Sequence, residues 1–388
     1  MGKNGFKIFD SDTHIGPHAD ILEGYLSESE KRRLDSWEPW KFVDPSNGHS
    51  WYTRYARKFL RRLGSAEPEK DHKRTSRDGE KLRKYSKEED MPRPQAEVDP
   101  AERIKDMDRE GVDVNLTLPS AWFGAFTADE DVELEAAIYR AYHRWMADYC
   151  GVFPARIKGV ILVCPRDLEN SLQELERRTK EDWALAAFVY APSGFPLDHP
   201  DLEPVWAACQ HHDLSVVLHT FTSSPPYAPG GQDNWDNHFL QSATAHSWCG
   251  ERNIAALIGA GVMDRYPKLR IGLLEAGHSW LPFWMTRMDS YAHSHAKYLP
   301  SLEQKPSEYV LGGRYFQSIE MSEGEKLTKQ VIEVIGEDIL MYASDYPHRE
   351  TWFPKSVETV MAWDLPEPTK RKLFWDNAVR YYARYSAD

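Results

Sequence analysis

The chain has 388 residues but only four cysteines, at positions 150, 164, 209 and 249, and no CxxC pair. That usage supports neither a disulfide framework nor a thiolate metal site, so each thiol is expected to be a small core residue in a reducing compartment. No run of 18 apolar residues occurs, and the opening Met1-Gly2-Lys3-Asn4-Gly5-Phe6-Lys7 lacks the apolar core of a secretory leader. A soluble, cytoplasmic protein is therefore expected. Basic side chains are in the minority, 48 against 61 acidic, for a formal net charge of −13. That balance argues against non-specific binding to nucleic acid or an anionic membrane. There is no Gly-x-Ser-x-Gly elbow, and Gly230-Gly231 and Gly312-Gly313 lack the spacing of a phosphate-binding loop. No internal repeat or low-complexity tract is visible.

What is present is a large apolar complement, 41% hydrophobic and 12% aromatic residues. Eight short apolar runs bounded by turn residues read as strands buried on both faces: 7–12, 112–118, 157–163, 187–190, 214–219, 270–275, 314–319 and 339–345. Helical patterns separate most of them, at 132–150, 168–180, 202–211, 254–262, 280–293, 325–335 and 369–382. Eightfold strand–helix alternation predicts a (β/α)8 TIM barrel. Residues 67–90 hold 16 charged side chains, eight of each sign, and so cannot supply a buried strand. The expected organisation is a barrel of residues 1–29 and 98–388, with a long insertion at 30–97 after the first strand. That insertion is expected to be a lid or subunit-interface arm, partly flexible, because Trp37, Trp40, Phe42, Trp51, Tyr52 and Tyr55 are too aromatic for a plain solvent loop.

Chemistry in such a barrel sits at the C-terminal strand ends. The first strand ends in Asp10-Ser11-Asp12-Thr13-His14, where alternation puts Asp10, Asp12 and His14 on one side. His219 ends the fifth, Glu275 and His278 close the sixth, Glu320 follows the seventh, and Asp345 with His348 follows the eighth. Carboxylates and imidazoles converging on one axis are costly unless they are paired or hold a cation, and such donors suit Zn, Mn or Fe. Arg349, next to His348, and Arg287 are candidates to bind a substrate carboxylate, with a surface or structural ion pair as the competing reading. Trp122, Phe123, Phe221, Trp248 and Trp352 are candidates to wall an apolar pocket, with ordinary core packing as the competing reading.

Asp12-x-His14, His219 and Ser344-Asp345-Tyr346-Pro347-His348 resemble the amidohydrolase superfamily. The resemblance is to the branch that includes aminocarboxymuconate-semialdehyde decarboxylase and the aromatic-acid decarboxylases. Residues 266–275 with Trp280-Leu281-Pro282, and Asn377-Ala378 with Tyr381-Tyr382, are also similar to that branch, so the likeness spans about 7–385 outside the insertion. It implies that Asp12, His14, His219 and Asp345 bind a divalent metal, with Asp345 also taking a proton. The acid–base histidine is expected to be His278, with His246 the alternative. Asp12 in place of the family's first imidazole makes a harder, oxygen-rich donor set that shifts preference from Zn toward Mn or Fe. Glu275, Glu320 and Asp10 are further carboxylates that could bridge a second metal or, equally, serve as supports around the first.

The expected function is metal-dependent hydrolysis or non-oxidative decarboxylation of a small organic acid. One alternative is a dinuclear Fe or Fe/Mn oxygenase served by reductase partners, a group that Asp-x-His members resemble. The other is a metal-retaining, non-catalytic subunit. A homo- or hetero-oligomer is expected in each case.

Overall fold

The computed structural model describes residues 2–35, 41–43, 48–52, 91–120, 131–190, 195–220, 238–348 and 351–386. Its strands are β1 Phe9–Ile15, β2 Lys41–Val43, β3 Ser50–Tyr52, β4 Val114–Pro119, β5 Ile157–Leu162, β6 Ala184–Phe188, β7 Ser215–His219, β8 Ile271–Leu274, β9 Tyr315–Ser318 and β10 Leu340–Met341. Strands β1 and β4 to β10 form one eight-stranded sheet in chain order, and every adjacent pair is parallel. The ends meet through main-chain hydrogen bonds: Ser11 N–H to Tyr342 O at 3.1 Å, Asp345 N–H to Asp12 O at 3.0 Å and His14 N–H to Tyr346 O at 2.6 Å. The result is the expected (β/α)8 barrel.

Every residue of the eight barrel strands is buried, which is why their sequences read as continuous rather than alternating apolar runs. Gly272 in β8 has a specific packing role. A Cβ there would lie 2.3 Å from the Tyr381 ring, whose hydroxyl donates to Val216 O at 2.7 Å. The helices between strands are set by local signals. Asp99 caps the helix Pro100–Glu110, which has proline at its first position and left-handed Gly111 at its end. Asp131 and Asp167 cap the helices Val132–Gly151 and Leu168–Arg178. The helix read at 254–262 is part of a longer one, His238–Gly259, and this lengthening brings another face over the barrel mouth. No described helix is long and apolar enough to cross a membrane. The four cysteines are buried, and none is in a disulfide.

Within the insertion, β2 and β3 form an antiparallel hairpin. It docks on the helix Ala19–Gly24, where Glu23 accepts from the Tyr52 hydroxyl and pairs with Lys41 at 2.6 Å. The charge-dense stretch 67–90 lies outside the described residues, as do Trp37, Trp40 and Tyr55.

Candidate metal centre

The C-terminal ends of β1, β7 and β8 and the turn after β10 bring five side chains together. His14 Nε2 lies 3.6 Å from Asp12 Oδ1, 3.8 Å from Glu275 Oε2 and 3.1 Å from Asp345 Oδ1. His219 Nε2 lies 3.7 Å from Asp12 Oδ1 and 3.0 Å from Glu275 Oε2. Two overlapping donor groups result, each with ligand atoms within 4.8 Å of one another: Asp12, His14 and His219, and then His14, Glu275, Asp345 and His348. Sequence alternation thus placed Asp12 and His14 on one side, as expected. Asp10 is drawn off by the seam, where it accepts from Ser344 N–H at 2.9 Å and Ser344 Oγ at 2.5 Å.

The tautomer of His14 follows from its surroundings. Nδ1 lies 3.1 Å from the Pro119 carbonyl, which can only accept, so Nδ1 carries hydrogen and Nε2 faces the carboxylates. Burial opposes charge on His14, yet Asp345 and Glu275 hold its pKa well above the histidine range. Burial likewise raises Asp12, and the charges of Asp345 and Glu275 add to it, leaving Asp12 well above the carboxylate range. Glu275 is pushed up by burial but brought well below its usual value by His14 and His219. Three carboxylates in one buried site attract any cation placed among them, and burying them uncompensated costs several kcal/mol each. Asp12 Oδ1 is buried and accepts no hydrogen bond among the described residues. A buried oxygen left in that state fits a metal ligand, and the His/carboxylate donor set fits a divalent ion of the Mn, Fe or Zn kind.

Glu275 and Asp345 both have left-handed backbones, at φ 50° and 58°. Non-glycine residues rarely adopt that region, and strain of roughly 1–3 kcal/mol at such positions clusters at functional sites. The surroundings hold both in place. Glu275 N–H donates to Ser318 Oγ at 3.1 Å and its carbonyl accepts from Thr220 Oγ1 at 2.7 Å, while Asp345 is fixed by its bond to Asp12.

A cavity of about 420 Å³ opens beside the cluster, lined by Asp12, His246, Glu275, Glu320, Asp345 and Trp352 among others. Glu320 is on this wall rather than within either donor group, and burial with the charges of Glu275 and Asp345 pushes its pKa up to about 8. His348 is in the site as a partner of Asp345, 2.8 Å from Oδ1, with its ring stacked on His14 at 4.1 Å. Trp248 is 45% exposed and stands off the cavity wall. Arg349, Trp122, Phe123 and Phe221 lie outside the described residues.

His278 does not reach the cluster. Left-handed Gly277 (φ +70°) turns the chain after Glu275, and the buried His278 ring faces the helix Gly324–Ile335. Its Nε2 lies 2.9 Å from Thr328 Oγ1, and its Nδ1 lies 3.0 Å from the Glu320 main-chain N and 2.8 Å from Glu323 Oε2. His246, on the helix His238–Gly259, lines the cavity instead, with Nε2 3.8 Å from Glu275 Oε1. Of the two histidines named from the sequence, the alternative, His246, is the one on the cavity wall, delivered by a helix from across the mouth.

A family model described as amidohydrolase matches residues 13–384. The chain belongs to the amidohydrolase family. Among solved structures, this amidohydrolase is similar to one from Mycobacterium avium subsp. paratuberculosis, at 19% identity and a TM-score of 0.72 over 98% of this chain and all of that one. It is also similar to 5-carboxyvanillate decarboxylase from Novosphingobium aromaticivorans, complexed with manganese and 4-hydroxy-3-methoxy-5-nitrobenzoic acid, at 20% identity and TM-score 0.67, covering 99% and 97% of the two chains. A third is dihydroxybenzoic acid decarboxylase from a Polaromonas species with bound manganese and 2-nitroresorcinol, at 18% identity and TM-score 0.64, covering 97% of each chain. No curated protein matches the sequence significantly. At these identities the structural likeness carries the fold.

Proposed function

We propose that this amidohydrolase is a cytoplasmic, divalent-metal-dependent enzyme that removes CO2 from a small organic acid without oxidation. The observation that carries the reading is the gathering of Asp12, His14, His219, Glu275 and Asp345 into two overlapping donor groups beside a cavity. The resemblance of the fold to manganese-bound decarboxylases of aromatic acids supports it. A cavity of about 420 Å³ suits a single-ring acid, since small-molecule sites run from roughly 300 Å³ upward.

In this reading Asp12, His14, His219 and Asp345 hold the metal, and Glu275 adjoins both histidines. A bound divalent ion supplies Lewis-acid polarisation of substrate oxygens. The chain's own residues do the rest. His246 is partly exposed on the cavity wall and delivers a proton to the carbon that loses CO2. The carbon–carboxylate bond breaks with its electron pair left on that carbon, which the proton then occupies. Asp345, held by His348 and by the main chain of Asp12, accepts the proton of the substrate's carboxylic acid group, so that the group leaves as neutral CO2 and the proton given by His246 is matched. Hydrolysis of a small acid would use the same residues, with water in the cavity as nucleophile.

The direct test reconstitutes the metal-free protein with Mn2+ and follows CO2 release from single-ring hydroxy- and methoxy-substituted aromatic acids. Turnover that needs the metal and disappears with chelator is expected. A protein that binds no divalent metal overturns the reading. One observation favours a second reading: Glu275 and Asp345 add two carboxylates beside Asp12 and both histidines, and carboxylates are the groups that can bridge a pair of ions. Two irons per chain, with oxygen consumption driven by a reductase, would establish a dinuclear oxygenase instead.

A further inference from the structure

Arg103 is 0% exposed, on the inner face of the helix Pro100–Glu110, and sends its guanidinium behind the metal cluster. Its three nitrogens are all used. Nε donates to Asn115 Oδ1 of β4 at 3.1 Å, Nη1 to the His14 carbonyl at 3.0 Å and Nη2 to Thr13 Oγ1 at 2.6 Å. The Thr13 hydroxyl passes its own hydrogen to Leu116 O at 2.7 Å, so it is an acceptor toward Arg103. The guanidinium also lies 5.1 Å from the centre of the Tyr346 ring, and the Tyr346 carbonyl receives the N–H of His14. One buried cation therefore ties β1, β4 and the turn after β10 together at the residue whose imidazole joins both donor groups.

We infer that Arg103 is a positioning residue for the metal centre: it fixes the main chain of His14, and through it the direction of Nε2. The inference rests on the metal-dependent reading above. The fork matters as well as the charge. A lysine ammonium is a point donor on a flexible stem and cannot hold the Thr13 hydroxyl, the His14 carbonyl and the Asn115 amide at once. Partners behind metal ligands commonly change affinity by about 10–100-fold when removed.

The test compares Arg103→Lys, Thr13→Val and Glu110→Gln with wild type. Glu110 is buried on the same helix but accepts from Ser356 N–H at 2.9 Å rather than holding β1, so its variant is the control for helix damage. Two quantities are read: the His14 imidazole resonance in metal-free protein labelled with 15N-histidine, assigned by its loss in His14→Gln, and the Mn2+ dissociation constant by chelator competition. Arg103→Lys and Thr13→Val should move the resonance and weaken Mn2+ binding about 10–100-fold. Glu110→Gln should lower thermal stability and leave both unchanged. If Arg103→Lys does not fold, Thr13→Val, which keeps the arginine, carries the comparison. A resonance and an affinity within about twofold of wild type in the folded Arg103 or Thr13 variant overturn the inference. Wild-type protein that binds no Mn2+ overturns the metal reading instead, and the imidazole resonance still decides the role of Arg103.

Discussion

The main-chain N–H of Asp345 donates to the carbonyl oxygen of Asp12 at 3.0 Å. Two residues that offer carboxylates to one cluster are thereby bound to each other through their backbones. Their separation is set by a rung of the barrel seam rather than by flexible side chains. In the proposed reading, ion binding and barrel closure therefore act on the same few residues.

Metal should stabilise the fold. At a free Mn2+ concentration one hundred times the dissociation constant, mass action contributes about 2.7 kcal/mol. Calorimetry should show a rise in melting temperature of several degrees that chelator reverses. Asp12→Asn should lose most of that rise, and a full rise in this variant would exclude Asp12 as a ligand.

Replacing His219 or Asp345 by alanine should remove both metal content and turnover. A Lewis-acid contribution of several kcal/mol corresponds to a rate loss on the order of a thousandfold or more. Elemental analysis beside CO2 release checks this. Either variant retaining metal and full activity would contradict the assignment.

The two histidines near Glu275 should separate cleanly. His246→Gln should keep its metal and lower kcat by roughly 10²–10⁴-fold, the usual worth of a positioned acid or base. His278→Gln should leave kcat within a few-fold and lower stability by about 1–3 kcal/mol, because its neighbours Thr328 and the Glu320 amide lose buried partners. Steady-state kinetics with urea unfolding distinguishes these outcomes, and the reverse pattern restores His278 to the site.

Asp10 gives the metal-free protein a pH dependence. Burial raises its pKa from 3.8 to about 8, against the lowering effect of Ser344. Between those values the folded chain keeps a proton that the unfolded chain has released, so stability falls as pH rises. Asp10→Asn should flatten that fall between about pH 4 and pH 8. Melting curves across this range for both proteins measure it, and parallel slopes would refute the expectation.

The barrel was legible because its strands are buried on both faces and therefore stand out as unbroken apolar runs. The eighth run predicted a strand through Asp345, yet only Leu340–Met341 pair as strand. Beyond them the chain leaves the β9 ladder to close against β1, and Asp345 takes a left-handed conformation there. Asp12, His14, His219, Glu275 and Asp345 could be picked out as polar residues ending apolar strands. His278 could not be placed that way, since its direction depends on two consecutive departures from extended backbone, at Glu275 and Gly277. His246 and Arg103 left no strand-end signal because each arrives on a helix.

The seam has a consequence for the order in which the molecule can be made. Asp12 and His14 leave the ribosome early, and Asp345 follows more than three hundred residues later. A chain interrupted anywhere before the eighth strand has no second edge to meet β1 and no Asp345. If these residues hold the metal as proposed, it can be captured in full only by molecules whose synthesis has passed that point. Partial chains would compete poorly for a scarce ion, and metal occupancy would serve as a record of completed assembly.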